Sequence, residues 1–303
     1  MKPPRFAYHD PRSLDEALAL MAQYGDEGKP LAGGQSLVPL LNFRLAHPEH
    51  LIDVNRIGAL AGVRRDSGAL HIGAMTRQST LEASRLVKDN WPLLTEALAY
   101  VAHAQIRNRG TVGGSVAHAD PAAELPVAFT ALDARFRARS QRGERTIDPA
   151  SFFVTHLTTT LEPDELLVEI EVPPMPPRTG HAFVEYSRRH GDFALGGAAV
   201  LVTVDESGTC QRAAIALLSA APTPLRATEA EAMLAGERID EGVAARAAER
   251  AVADISPTGD IHGSAGYRKD LIEVMVRRAL MAAAGRAGTA RESGRSDNGA
   301  SGA

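Results

Sequence analysis

Two short glycine loops are the segments of this chain best suited to chemistry: Ala32-Gly33-Gly34-Gln35-Ser36 and Thr111-Val112-Gly113-Gly114-Ser115. Each is a Gly-Gly pair followed closely by Ser, and each lies beside a short apolar run. A glycine pair lets the backbone take positive φ and approach a ligand closely. Consecutive N–H groups in such a loop form a concave array that binds anions, phosphate above all. Two arrays suit a ligand with two phosphates, or one ligand gripped from both sides, and a dinucleotide fits that description. The spacing is neither G-x-G-x-x-G nor a P-loop: no acidic residue follows at a Rossmann distance, and no Lys follows the glycines. Taken singly, either loop also reads as a tight strand-to-helix turn.

The first loop requires a β-loop-α-β unit around it. Pro30-Leu31-Ala32 is short and apolar and runs into the glycines. Residues 37–45, from Leu37 onward, read as a helix opening at Ser36, and residues 50–54 as a strand. Upstream, Ser13-Leu14-Asp15-Glu16 is a capping box. Leu14, Ala17, Leu18 and Met21 recur at helical spacing, and Gly25 supplies the stop. The unit ends near Ile57.

A second region carries the second loop. Residues 69–73 read as a strand, Thr76 as the cap of a helix through Ser84, and residues 92–103 as a helix with Pro at its first position. Asp120 and Pro121, as N-cap and first residue, predict a helix through Leu132. Residues 134–139 and 165–172 are strand-like. The run Pro173-Pro174-Met175-Pro176-Pro177 is a stiff linker and marks a domain boundary.

Beyond it, residues 181–188, 194–204 and 211–218 read as an antiparallel meander, followed by helices over 225–235, 241–255 and 267–284. Strands followed by helices point to an α+β module. From Gly285 the sequence is rich in Gly, Ala, Ser and Arg and is expected to be disordered.

Composition excludes several classes. With 303 residues, 44% hydrophobic and 23% charged, the chain has the make-up of a globular protein of two or three domains. A net charge of −4 without a basic block disfavours nucleic acid and anionic membranes. No apolar stretch is long enough to span a bilayer, and Met1-Lys2-Pro3-Pro4-Arg5 leads into no signal-peptide h-region, so the cytoplasm is the expected compartment. Cys210 is the single cysteine, which excludes a disulfide framework and an iron–sulfur cluster held by this chain. On its predicted strand it reads as a small core residue. His103, His118 and His190 lack metal-ligand spacing, so no metal site is expected. Arg107 and Arg109 read equally as phosphate partners and as part of a solvated loop.

Five motifs occur in order: Leu31-Ala32-Gly33-Gly34-Gln35-Ser36-Leu37, Leu51-Ile52-Asp53-Val54, Ile72-Gly73-Ala74-Met75-Thr76, Gln105 through Ser115, and Asp120-Pro121-Ala122-Ala123-Glu124-Leu125-Pro126. Arg188-Arg189-His190-Gly191-Asp192-Phe193-Ala194 adds a sixth. Over residues 3–284 the chain resembles the FAD-binding medium subunits of molybdenum hydroxylases, the carbon monoxide dehydrogenase and xanthine dehydrogenase group.

The resemblance implies an α+β protein with a PCMH-type two-subdomain FAD-binding fold followed by a C-terminal α+β domain of antiparallel sheet plus helices. The expected divisions are residues 1–57, 58–177 and 178–285, with a disordered tail over 286–303. It implies FAD contacts from Ala32, Gly33, Gly34, Gln35, Ser36 and Leu37 on one side and Thr111, Val112, Gly113, Gly114 and Ser115 on the other. Glu124 aligns with a family Asp that contacts ribityl or sugar hydroxyls, and Leu167 with an apolar flavin neighbour. Phe193 stands where relatives place an aromatic residue near the isoalloxazine; an ordinary core Phe is the competing reading.

It also implies partners: a small subunit with two [2Fe–2S] clusters and a large molybdopterin subunit, in a doubled heterotrimer. In that arrangement electrons pass through FAD to NAD⁺, a quinone or oxygen. A stand-alone flavin reductase and a non-redox nucleotide-binding regulatory or assembly protein remain as alternatives from the sequence.

Overall fold

The computed structural model describes residues 2–293, with side chains through residue 287. In chain order the first strands and helices are β1 (Ala7–His9), α1 (Leu14–Tyr24), β2 (Gly28–Leu31), α2 (Leu37–Asn42), β3 (His50–Asp53), β4 (Val63–Asp66), β5 (Ala69–Gly73), α3 (Gln78–Ala83), α4 (Arg85–Asn90) and α5 (Pro92–Tyr100). Next come α6 (Ala104–Arg107), α7 (Val112–His118), α8 (Glu124–Ala131), β6 (Arg135–Ser140), β7 (Gly143–Ile147), α9 (Pro149–Phe152), β8 (Phe153–Thr155), β9 (Thr158–Thr159) and β10 (Leu166–Val172). The last are β11 (Thr179–Tyr186), β12 (Gly196–Val204), β13 (Cys210–Leu218), β14 (Leu225–Arg226), α10 (Thr228–Leu234), α11 (Glu241–Ala251) and α12 (Ala265–Ser293).

These elements form two compact units. The first comprises residues 1–88, 101–120 and 133–174. It opens with a parallel sheet in the order β1-β3-β2, closed by the crossovers through α1 and α2. The capping box holds α1 as expected: Ser13 Oγ accepts from the Glu16 amide at 3.2 Å. Glu16 reaches back one residue further than the usual pattern, accepting from the Arg12 amide at 2.7 Å. Ala17, Leu18 and Met21 of α1 pack with Ile52, Val54, Leu166 and Val168. The larger sheet is antiparallel in the order β4-β5-β10-β6-β7.

The second unit comprises residues 89–100, 121–132 and 175–303. Its four-stranded antiparallel sheet runs β11-β12-β13-β14. The run Gly-Gly-Ala-Ala-Val-Leu-Val-Thr-Val of β12 is buried at eight of nine positions, the pattern of a strand covered on both faces. Helices α10, α11 and α12 share a core with β12 and β13 that includes Cys210, Ile215, Leu217, Ile272 and Leu280. Two helices from the middle of the chain, α5 and α8, belong to this unit. Every residue of α8 from Leu125 to Ala131 is buried.

The structure corrects several expectations. Helix α2 stops at Asn42, because Arg44 takes a left-handed φ of 57°. Thr76 caps no helix: its hydroxyl bonds both the amide and the carbonyl of Gly62 at 2.9 Å. Asp120 and Pro121 lie outside α8, whose N-cap is Ala123. Residues 225–226 pair with β13 as a strand before α10 begins. Helix α12 runs to Ser293, so residues 286–293 are helical rather than part of a disordered tail; residues 294–303 lie outside the described residues. Ala287 is fully buried, and Arg286 pairs with Glu96 at 2.6 Å, which holds this turn down. Among the described residues no helix is long and apolar enough to cross a membrane.

Candidate functional site

The first glycine loop connects β2 to α2. Gly34 has φ +73°, the left-handed conformation a Gly supplies without strain. Gln35 folds back, its Nε2 donating to Gly33 O at 2.9 Å. Ser36 is the N-cap of α2, but its side chain makes no capping bond. The amides of Gly33, Gly34, Gln35 and Ser36 find no acceptor among the described residues. Four consecutive backbone donors, in a turn held by its own side chain, are thus left without a partner among the described residues, the kind of group an anion can satisfy.

The second loop is built differently. Thr111 is the N-cap of α7, and its Oγ1 accepts from the Gly114 amide at 3.1 Å. Gly113 and Gly114 lie in the first turn of that helix and neither has positive φ. Their amides are already used: Val112 donates to Thr76 O at 2.9 Å, Gly113 to Ala74 O at 2.8 Å, and Ser115 to Thr111 O at 3.1 Å. This corrects the reading of two equivalent N–H arrays, since only the first offers free donors.

Glycine is required here for close approach. A Cβ on Gly113 would lie 2.5 Å from the Ala74 Cβ, and one on Gly114 2.6 Å from Thr111 Oγ1 and 3.3 Å from the Ala32 Cβ. A Cβ on Gly33 would overlap the Arg109 carbonyl and lie 2.8 Å from the Gly110 Cα. The glycines therefore seat the two loops against each other.

Two residues that the sequence reading missed fasten this contact. Asn55 Nδ2 donates to Ala32 O at 2.7 Å, at the start of the first loop. Its Oδ1 accepts from Arg77 Nη2 at 2.8 Å, and Arg77 Nη1 donates to Arg109 O, ahead of the second loop. Asp53 orients Asn55, accepting from its amide at 2.9 Å and its Nδ2 at 2.6 Å. Burial holds the Arg77 guanidinium below its ordinary range, and the neighbouring Arg109 charge adds to this. Each sits one position beyond a motif, Asn55 after Asp53-Val54 and Arg77 after Thr76, and that adjacency is the signal the sequence offers.

Of the two arginines considered for phosphate, Arg107 is committed elsewhere: it pairs with Glu82 at 2.8 Å and donates to Val101 O at 2.8 Å. The Arg109 side chain is exposed and, among the described residues, has no ion-pair partner. Leu167 is buried in β10 at a bulge in its pairing with β6.

In the second unit, Glu124 is the first residue of α8 and Phe193 lies in the connection from β11 to β12. Phe193 is 76% exposed, which removes the core reading. Glu185 on β11 was not singled out from sequence. Its Oε2 is buried without a partner among the described residues. Burial pushes its carboxyl up to about 9, with the charge of Glu124 contributing.

Comparison with known families defines the class. Residues 4–175 match the FAD binding domain in molybdopterin dehydrogenase, and residues 181–283 the CO dehydrogenase flavoprotein C-terminal domain. The chain belongs to the FAD-binding medium subunits of the molybdenum hydroxylase family; it is an oxidoreductase subunit, and its cofactor is FAD.

Among individual proteins it is 49% identical to the 6-hydroxypseudooxynicotine dehydrogenase complex subunit alpha of Paenarthrobacter nicotinovorans, over 97% of this chain and 99% of that one. It is 41% identical to the carbon monoxide dehydrogenase medium chain of Hydrogenophaga pseudoflava, over 93% and 98%. A solved structure of carbon monoxide dehydrogenase from Hydrogenophaga pseudoflava superposes with a TM-score of 0.92, covering 94% of this chain and 99% of that one at 43% identity. Quinoline 2-oxidoreductase from Pseudomonas putida 86 superposes at 0.90, covering 95% and 99% at 39% identity.

Proposed function

We propose that this chain carries FAD as the electron outlet of a multi-subunit molybdenum hydroxylase. It takes electrons from [2Fe–2S] clusters of a small subunit and delivers them to an external acceptor. FAD supplies the chemistry when bound, accepting electrons singly and releasing them in pairs. A large molybdopterin subunit oxidises the substrate, and the three chains form a doubled heterotrimer in the cytoplasm. Relatives at nearly equal identity are named for unrelated substrates, carbon monoxide at 41% and caffeine at 40%. That supports a substrate site on a partner.

The observation that carries the cofactor assignment is the row of free amides from Gly33 to Ser36. They fit a pyrophosphate, whose charge they satisfy without a lysine, and the exposed Arg109 guanidinium adds a cation. Ala32 and Leu37 flank this row. Thr111, Val112, Gly113, Gly114 and Ser115 form the wall against which it is seated, contributing shape rather than amides. Glu124 is assigned to the sugar or ribityl hydroxyls, Leu167 to the flavin's apolar surroundings, and Phe193 to a face of the isoalloxazine.

The test is direct. The untagged chain should purify with a flavin spectrum. Its flavin should bleach with substrate only when the iron–sulfur and molybdopterin subunits are present. A colourless chain that binds no added FAD, or a flavin reduced by substrate in the isolated chain, refutes the proposal.

A further inference from the structure

A second cluster of ligating groups lies at the N-terminal ends of β2 and β3 in the first unit. Glu27, Glu49 and His50 each bring one potential ligand atom to within 4.8 Å of the others. Their backbone is fixed by the sheet. The Glu49 amide donates to Glu27 O at 3.1 Å, the Ala7 amide to Glu49 O at 2.8 Å, and His50 sits in register with Ala7 on one side and Gly28 on the other. The His50 ring is also fixed. It stacks on Tyr24 at 3.6 Å with 10° between planes, and its Nδ1 lies 2.9 Å from His9 Nε2. Among the described residues neither glutamate carboxylate has an ion-pair or hydrogen-bond partner. Two carboxylates thus lie beside an imidazole with no ion-pair partner among the described residues.

We propose that Glu27, Glu49 and His50 form a binding site for a divalent transition-metal ion of the zinc type, with His9 orienting the imidazole from the outer sphere. One nitrogen and two carboxylate oxygens are a zinc-type donor set, whereas magnesium and calcium favour oxygen alone. A tetrahedral zinc ion holds its ligand atoms roughly 3.4 Å apart, given Zn–N and Zn–O bonds near 2.1 Å. The proposal requires the two glutamate side chains, which are exposed, to rotate and close the present spacing of up to 4.8 Å to that value. With the shared proton on His50 Nδ1, donated to His9, the Nε2 lone pair is left for the metal; this is the usual second partner of a metal-bound histidine. The ion would tie the start of β2 to the start of β3. Because it binds the folded chain, it would raise stability by mass action.

The test uses the full-length untagged chain, stripped with chelator and titrated calorimetrically with zinc chloride and, separately, magnesium chloride. The expected result is one zinc per chain, no matching magnesium isotherm, and a melting temperature that climbs with zinc. His50→Ala should weaken zinc affinity by more than about tenfold, and His9→Phe by about tenfold with all three ligands in place. Where His50→Ala fails to fold, the double variant Glu27→Gln/Glu49→Gln decides in its stead, with flavin content at the wild-type level as the check on folding. Equal zinc affinity in wild type and in the ligand variants, or no zinc binding at all, overturns the proposal.

Discussion

Replacing Glu185 with Gln should make the protein more stable, and increasingly so as the pH rises. A carboxyl with an ordinary value near 4.5 is held at about 9 in the folded chain, first by burial and then by the Glu124 charge. The fold therefore favours the protonated acid. Its contribution is intact below about pH 4.5 and is lost as the pH rises towards about 9, the reverse of a salt-bridged carboxylate. At about 1.4 kcal/mol per pH unit the whole interval is worth at most about 6 kcal/mol, of which about 3 kcal/mol has gone by pH 7. Glutamine keeps the shape of the neutral acid and cannot ionise. Urea unfolding of wild type and Glu185→Gln should give nearly equal stabilities at pH 5. The variant should lead by up to about 3 kcal/mol at pH 7 and by more at pH 9. Glu124→Gln should move wild-type behaviour part of the way in the same direction. Parallel stability curves for wild type and Glu185→Gln across this range would refute the argument, because they would show a carboxyl that ionises as freely folded as unfolded.

Four further outcomes follow from the geometry. Gly33→Ala drives a methyl into the Arg109 carbonyl, so purified protein should have lost most of its flavin by absorbance, more than Gly34→Ala, whose added cost is about 1–2 kcal/mol of left-handed strain. Asn55→Ala removes the acceptor of Arg77 Nη2 and the donor to Ala32 O; it should cost about 1–3 kcal/mol in unfolding and weaken FAD retention measured by dialysis. Phe193→Ala removes an exposed ring, so the melting temperature should stay put while the rate of flavin reoxidation or the flavin potential changes; unchanged kinetics and potential would remove the ring from the flavin site. Truncation after residue 284 deletes the Arg286–Glu96 ion pair and the buried Ala287 and should lower the melting temperature, which calorimetry would detect.

What the sequence disclosed was local. The β-loop-α-β pattern around the first glycine pair, the capping box at Ser13, the alternating strand β10 and the apolar runs of β12 and β13 all appear within a few residues of where periodicity placed them. The runs of β12 and β13 announce themselves because burial on both faces leaves little polar alternation, whereas β10 shows itself by the alternation of Val168, Ile170 and Val172 with Glu169 and Glu171. The short strand β1 has only three residues, two of them exposed, and β7 is exposed at four of five, so neither carries a pattern. The asymmetry of the glycine loops was hidden for another reason. The second loop's amides are taken by Ala74 O and Thr76 O, acceptors that belong to a distant turn and come near only in the folded chain. The Asn55–Arg77 fastening depends on pairings 22 to 32 residues apart, and no local signal specifies them. Glu185 was invisible because its character is its surroundings.

The threading of the chain between its two units also governs how the protein can be made. Helices α5 and α8 leave the ribosome early, yet the strands they pack with, β11 to β13, are synthesised much later. At synthesis rates of about 5–20 residues per second that interval is on the order of ten seconds. During it, the seven buried residues from Leu125 to Ala131 have no sheet to cover them. A nascent chain in this state exposes apolar surface of the kind that makes partly folded chains prone to aggregate. Cutting the gene at the proline linker after Val172 would yield a C-terminal fragment stripped of two of its own helices.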